Sequence, residues 1–509
     1  MPFPSKGCKT CKTRRVKCDE TQPRCRRCVK ADRVCYGMPP VGETNHVYHL
    51  ENSFASGINK RPRGPRPRPT ATVQSPPPRL ITQPPSPDLK TQAVNYYIQN
   101  HLRTLKDAPD LVRAVYDFPT LWASLEEYPI LNLAVSSIAL AVFSRAKSHP
   151  PAALEATENY HRLLQLAQQT IFSLDEKNVD VCLLAIFFMG RYEQVVYCPT
   201  PSHLQLRFPS YSIVQSFSHH DGNLAILKSW KEHLSEKLPA TDVIKRVRRG
   251  MIRSALLRNI ALPEWIVDGE LFGERGVELE YDRLVVRIVD IREQLTTLWK
   301  EKLGQGQLDS ESVALAKELD EQARLLDLAL QDWTAHFPSS WAYKRHTLSE
   351  PRLYPTKDFY SSTVLTCQSP SYAAVWNLYF GTRILINVSR VSILELAYPE
   401  DKEEQSLCFS IINDMANDLA SSIPFCRQIV TVTESPDPAS QGEVVTVNKN
   451  QHEEQHVGAT TVWPLSMASS MIRVEVKPGS WFRAELARIG RILYDSVLEG
   501  AEREEWLQL

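Results

Sequence analysis

Six of the eleven cysteines in this 509-residue chain lie between positions 8 and 35, spaced C-x2-C-x6-C-x6-C-x2-C-x6-C. The segment around them has almost no apolar residues, so it cannot fold around an ordinary hydrophobic core. Structural zinc takes four tetrahedral ligands at about 2.3 Å from sulfur. Each half of the pattern offers three: Cys8, Cys11 and Cys18, then Cys25, Cys28 and Cys35. Two independent sites would need two more thiolates than the segment has. The economical arrangement is two zinc ions sharing two bridging thiolates, with the metal pair serving as the core. Such a unit is largely unfolded without its metal.

A disulfide framework is the first alternative. The opening "MPFPSKGCK" lacks the apolar stretch of a secretory signal, so an intracellular setting is expected, where thiols stay reduced. A metal store is the second, but it has no use for the cations interleaved with the cysteines. Residues 1–36 carry eleven Lys or Arg against three acids. Six thiolates and two Zn²⁺ leave a net charge of about +6 on this very small unit. Residues 1–70 hold sixteen basic and five acidic side chains, and the remainder of the chain has an equal excess of acid. A basic head on an acidic body points to a polyanionic partner. "KTRRVK", between Cys11 and Cys18, is expected to form a short helix with Arg14 and Arg15 facing outward. Arginine reads guanine O6 and N7 through a bidentate fork. Lys9, Lys12, Lys17 and the cations of the second half suit phosphate contacts.

Three segments follow from composition: the cysteine unit at 6–36, a Pro-rich basic linker at 37–89, and a body at 90–509. The linker favours extended, disordered chain. Its "KRPRGPRPRP" (60–69) reads as a solvated spacer, a nuclear-import signal or an arm in the minor groove. The body is predicted to be all-α, with apolar residues at three-to-four spacing in 93–105, 129–146, 152–172, 179–197, 286–303, 312–333, 373–394 and 482–498. The polar stretch 432–456 reads as a loop. The apolar runs at 131–143 and 181–190 fall short of the roughly 20 residues of a bilayer span. The body shows no phosphate-cradling loop, nucleophile elbow or H-E-x-x-H helix, so no enzyme is expected. His219 and His220 read as structural histidines, Trp376 as a core residue, and the five scattered cysteines as small buried side chains.

The cysteine unit resembles the fungal Zn₂Cys₆ binuclear-cluster transcription factors, and the match runs through every cysteine. The resemblance implies that Cys8 and Cys25 bridge the two metals. It places base reading, commonly of CGG-type triplets in the major groove, on Arg14 and Arg15. It matches the family's inter-half proline with Pro23. In the body, "SFSHHDGNLAILKSWKE", "RSALLRNIALPEWI", "FPSSWAYKR", "AAVWNLYFGTRILIN" and "VWPLSMASSM" are similar to phrases of the fungal-specific transcription factor domain, a helical regulatory region. Together these imply a nuclear, sequence-specific regulator of RNA polymerase II transcription with two zinc ions per chain. The implied partners are double-stranded DNA and, through the helical region, the transcription machinery or co-regulators, with a small-molecule effector as a further option. No membrane partner is expected. Many members dimerise through a heptad coiled coil after the cluster. Residues 37–89 show no heptads, which leaves homodimerisation to the body. Two rival readings stay open: a zinc unit that contacts RNA or protein, and a body that is a catalyst or metabolite receptor.

Overall fold

The computed structural model divides the chain into two units, Met1–Thr82 and Gln83–Leu509. It describes residues 7–14, 16–21, 24–35, 87–102, 108–112, 122, 126–196, 211–348, 353–434, 443–448, 458–470 and 478–503. The expected linker at 37–89 lies outside these residues except at its last three positions, and so do Arg15, Pro23, Cys198 and the tail from 504. The first unit contains two short helices, α1 (Lys9–Thr13) and α2 (Arg26–Lys30).

The second unit is mostly helical. Its first core is built by α3 (Leu89–His101), α4 (Pro129–Lys147), α5 (Pro150–Thr170) and α6 (Val179–Val196), with the later turns of α7 (Tyr211–His233) and the start of α8 (Asp242–Arg258). Local chemistry sets these boundaries. Ser148 ends α4 in a left-handed conformation, and Pro150 opens α5 at a position where a missing N–H costs nothing. Among the described helices, α4 alone has the length and apolarity of a bilayer span, running beyond the 131–143 segment. Its Leu131, Ala134, Val135 and Ile138 are buried in the first core.

After α8, the short α9 (Glu264–Val267) leads into α10 (Gly276–Gln305) and α11 (Ser310–Ala335). Gly306, at φ 78°, ends α10, and the Asp309 carboxylate caps α11 by accepting from the Ser312 N–H at 2.7 Å. Two short antiparallel hairpins follow at different points: β1 (Lys344–Thr347) with β2 (Thr363–Thr366), and β3 (Val430–Glu434) with β4 (Glu443–Val447). The second hairpin corrects the loop expected over 432–456, because Val430 pairs with Val447 and Val432 with Val445. Phe359, Val364, Phe425 and Val430 make a small core under the hairpins.

The second large core surrounds α12 (Pro370–Ala397), which packs against α11 and α13 (Lys402–Cys426). The helices α14 (Val462–Ser469), α15 (Gly479–Leu493) and α16 (Ser496–Glu499) complete it. Nearly every α12 side chain from Ala373 onward is buried, including polar ones. Several of these are paired across to neighbouring helices, as buried polar groups require. Arg383 donates to both carboxylate oxygens of Asp327 at 2.9 and 2.7 Å, and Asn387 donates to the same carboxylate at 2.8 Å. Arg390 pairs with Asp320 at 3.1 Å and Glu404 at 3.3 Å. These pairs fix α12 between its neighbours at one rotation.

Candidate metal centre and nucleic-acid interface

The six cysteine sulfurs gather into two four-membered sets, Cys8, Cys11, Cys18, Cys25 and Cys8, Cys25, Cys28, Cys35, with all sulfurs of a set within 4.8 Å of one another. Cys8 and Cys25 belong to both. Their sulfurs are 3.7 Å apart, and Cys11 Sγ lies 3.6 Å from Cys25 Sγ. A tetrahedron with metal–sulfur bonds of about 2.3 Å has an edge of about 3.8 Å, so these separations fit zinc. The described cysteines are free of disulfides.

The sequence echo is a structural echo. In the first half the Cys8 N–H donates to Cys18 Sγ at 3.4 Å and the Cys11 N–H to Cys8 Sγ at 3.4 Å. In the second half the Cys25 N–H donates to Cys35 Sγ at 3.5 Å and the Cys28 N–H to Cys25 Sγ at 3.3 Å. Each short helix thus starts on its first cysteine and presents the second one turn later on the same face. Amide donors of this kind support thiolate ligands from the outer shell. Cys8, Cys11, Cys25 and Cys28 are buried, and they are the whole buried apolar core of this unit among the described residues. Burial raises the Cys11 and Cys25 thiols above their ordinary range when no cation is beside them. Two dications supply the missing charge. Four sulfurs per metal fill its coordination sphere, so the site is structural and leaves no position for a reacting water.

Two contacts that the spacing did not predict close the unit. The Thr10 hydroxyl donates to the Val34 carbonyl at 2.9 Å, joining the first helix to the end of the second half. The Asp19 carboxylate accepts from the Thr21 hydroxyl at 2.9 Å and the Arg26 N–H at 3.0 Å, fixing the approach to α2. Neither has a signature in the sequence, because an isolated Thr or Asp does not show what it will face.

The cations divide by what the structure describes. Arg14 is exposed in the turn that ends α1, its N–H donating to the Thr10 carbonyl at 3.2 Å, and Lys17 is exposed further along. The helix therefore starts at Lys9 and ends before Arg14, one turn earlier than the expected helix between Cys11 and Cys18. Lys9 and Lys12 lie on α1 with side chains outside the description, and Arg15 lies outside it entirely. Arg24, Arg26, Arg27, Lys30 and Arg33 are exposed on the second half.

In the helical unit the described residues form no comparable set. His219 Nε2 lies 2.8 Å from a Glu193 oxygen, and His220 is half-buried beside Arg258 and Asp221. Trp376 donates from its indole N–H to the Trp341 carbonyl at 2.8 Å and packs against Phe337 and Phe380. Cys182, Cys408 and Cys426 are buried and Cys367 is half-buried.

Comparison with known proteins agrees with this geometry. Residues 6–40 match the family described as the fungal Zn(2)-Cys(6) binuclear cluster domain. Over 33 residues the chain is 58% identical to the transcriptional regulatory protein moc3 of Schizosaccharomyces pombe, covering 6% of each chain. Over 35 residues it is 57% identical to the aspercryptin biosynthesis cluster-specific transcription regulator atnN of Emericella nidulans, covering 7% of this chain and 6% of that one. Over 52 residues it is 51% identical to the transcription activator AMTR1 of Alternaria alternata, covering 10% of this chain and 6% of that one. The similarity thus spans only a small fraction of each relative's length. No solved structure matches the chain. The chain is similar to fungal transcription regulators through this one segment, whose residues 6–40 match the fungal Zn(2)-Cys(6) binuclear cluster domain.

Proposed function

We propose that this chain is a nuclear regulator of RNA polymerase II transcription that binds double-stranded DNA through its zinc cluster. In this reading Arg14 and Arg15 contact base edges of CGG-like triplets in the major groove, and Lys9, Lys12 and Lys17 contact phosphates. The helical unit meets the transcription machinery or co-regulators, takes a small-molecule effector, and is where two copies pair. The observation that carries the proposal is the shared-sulfur cluster within a segment whose relatives are named as transcription regulators, with Arg14 and Lys17 exposed beside it.

The test is selection of binding sites from random duplex DNA by the full chain, with and without zinc chelator, at near-physiological salt. Enrichment of a CGG-like triplet that disappears with chelator supports the proposal, and the spacing of repeated triplets reports whether one or two copies bind. Zinc-dependent folding without enrichment would reduce the exposed cations to phosphate, RNA or protein contacts and overturn it.

A further inference from the structure

A narrow crevice, open to solvent on one side, lies between α8, α10, α12 and α14 in the helical unit. Its polar groups can be accounted for one by one. Arg249 is held by Glu274 and by the Asp110 carbonyl at 3.1 Å. Asp282 accepts from Arg248 at 2.8 Å. The Thr382 hydroxyl donates to the Leu378 carbonyl at 2.7 Å, so the Tyr281 hydroxyl, 2.9 Å away, is the donor in the bond between them. Arg253 is different. Its guanidinium lies over the Trp463 ring, 5.4 Å from the centroid, and among the described residues no carboxylate pairs with it.

A half-buried cation without an ion-pair partner is costly to keep. Burial, with Arg249 and Arg246 nearby, lowers the pKa of Arg253, and the attraction of Tyr281 and Asp282 offsets this only in part. The crevice therefore holds a surplus of N–H donors and positive charge, and Val285, Leu385 and the Trp463 indole give it apolar walls. We propose that it binds a small organic carboxylate, with the carboxylate on Arg253 and the apolar body between Val285, Leu385 and Trp463. This deepens the effector part of the reading above, on which its regulatory meaning rests, while the binding itself is measured without DNA.

The experiment titrates hexanoate into the full zinc-loaded chain, followed by calorimetry and thermal melting, with hexanamide as the neutral counterpart. Hexanoate is expected to bind once per chain and to raise Tm by mass action. Hexanamide is expected to bind about tenfold more weakly or worse, since it lacks the charge-assisted bonds to the guanidinium. Arg253→Met is expected to cost hexanoate a similar factor while keeping the parent's helical circular dichroism. Equal affinity for acid and amide, undiminished binding to Arg253→Met, or no heat and no shift with hexanoate at low millimolar concentration would each overturn the assignment. The acid–amide comparison needs no variant, so it decides the matter even if Arg253→Met does not fold. A chain that selects no DNA sequence but binds hexanoate keeps the crevice and loses the DNA reading; the reverse result does the opposite.

Discussion

Cys8 and Cys25 differ from the other four cysteines in belonging to both sulfur sets. That difference is measurable. Cys11→Ser leaves Cys8, Cys25, Cys28 and Cys35 as a complete set, whereas Cys25→Ser leaves neither set complete. Native mass spectrometry of the zinc-loaded chain should therefore find one zinc on Cys11→Ser and none held tightly on Cys25→Ser or Cys8→Ser. Equal losses from all three variants would mean that the sulfurs are not shared as the geometry indicates. Among the cations, Arg14→Ala is expected to cost about 1–3 kcal/mol on the preferred site and to relax the choice of base there. Lys17→Ala should weaken all sequences alike and reduce the salt slope by about one. Binding titrations on selected and scrambled duplexes at several salt concentrations separate the two. At this scale the sequence was most legible: six cysteines at fixed spacing can satisfy two tetrahedra only by sharing. The shared pair itself came from family resemblance, and the contacts of Thr10 and Asp19 came from three-dimensional closure alone.

At the scale of helices, the central device is the Asp327 carboxylate on α11, which receives Arg383 and Asn387 from α12. Asp327→Ala leaves a largely buried guanidinium without its counter-ion, and truncating one partner of such a pair typically costs about 3–5 kcal/mol. Urea unfolding should show a loss of this size with an unchanged slope, and Asp327→Asn should lose less because it can still accept a bond. A second close contact joins α15 to α16. A Cβ on Gly490 would lie 2.5 Å from the Glu499 nitrogen and 2.8 Å from the Leu498 carbonyl carbon, both backbone atoms. Gly490→Ala is expected to cost about 1–3 kcal/mol by forcing these helices apart, read by the same unfolding experiment. The helices that sequence periodicity predicted carry apolar residues at three-to-four spacing along most of their length, even where buried polar residues such as Asp327 and Arg383 interrupt the stripe. The run predicted at 179–197 appears as Val179–Val196, and that at 129–146 as Pro129–Lys147. Periodicity did not assign α8, whose fully buried Arg248 donates to Asp282 and to the Ile266 and Val267 carbonyls. It also did not assign α13, whose last turn contains Pro424. The β3–β4 hairpin was hidden for a different reason. Its alternating Val and Thr are too short to outweigh the Pro- and Gly-containing segment between the strands.

The whole molecule joins two kinds of folding energy. The helical unit buries extended apolar clusters around Leu131 and Phe188 on one side and Leu326 and Ile384 on the other. A large buried apolar area carries its own stability. The N-terminal unit has no such reserve, since its buried apolar core among the described residues consists of four cysteines. Its folding free energy is then essentially metal-binding free energy. A high-affinity zinc chelator should therefore unfold this unit alone. The main thermal transition and most of the helical circular dichroism of the full chain should persist, while DNA binding is lost and returns when zinc is restored. Acid should act in the same direction, because protons compete with zinc for the thiolates: lowering the pH releases metal, and raising it again restores the cluster. The two measurements belong on one sample, with calorimetry following the helical transition and a zinc-sensitive dye following the metal. If the helical transition shifts down in step with zinc release, the helical unit draws stability from the cluster and the division into independently stabilised units fails. If zinc leaves first and the helical transition stays in place, each unit is held by its own core.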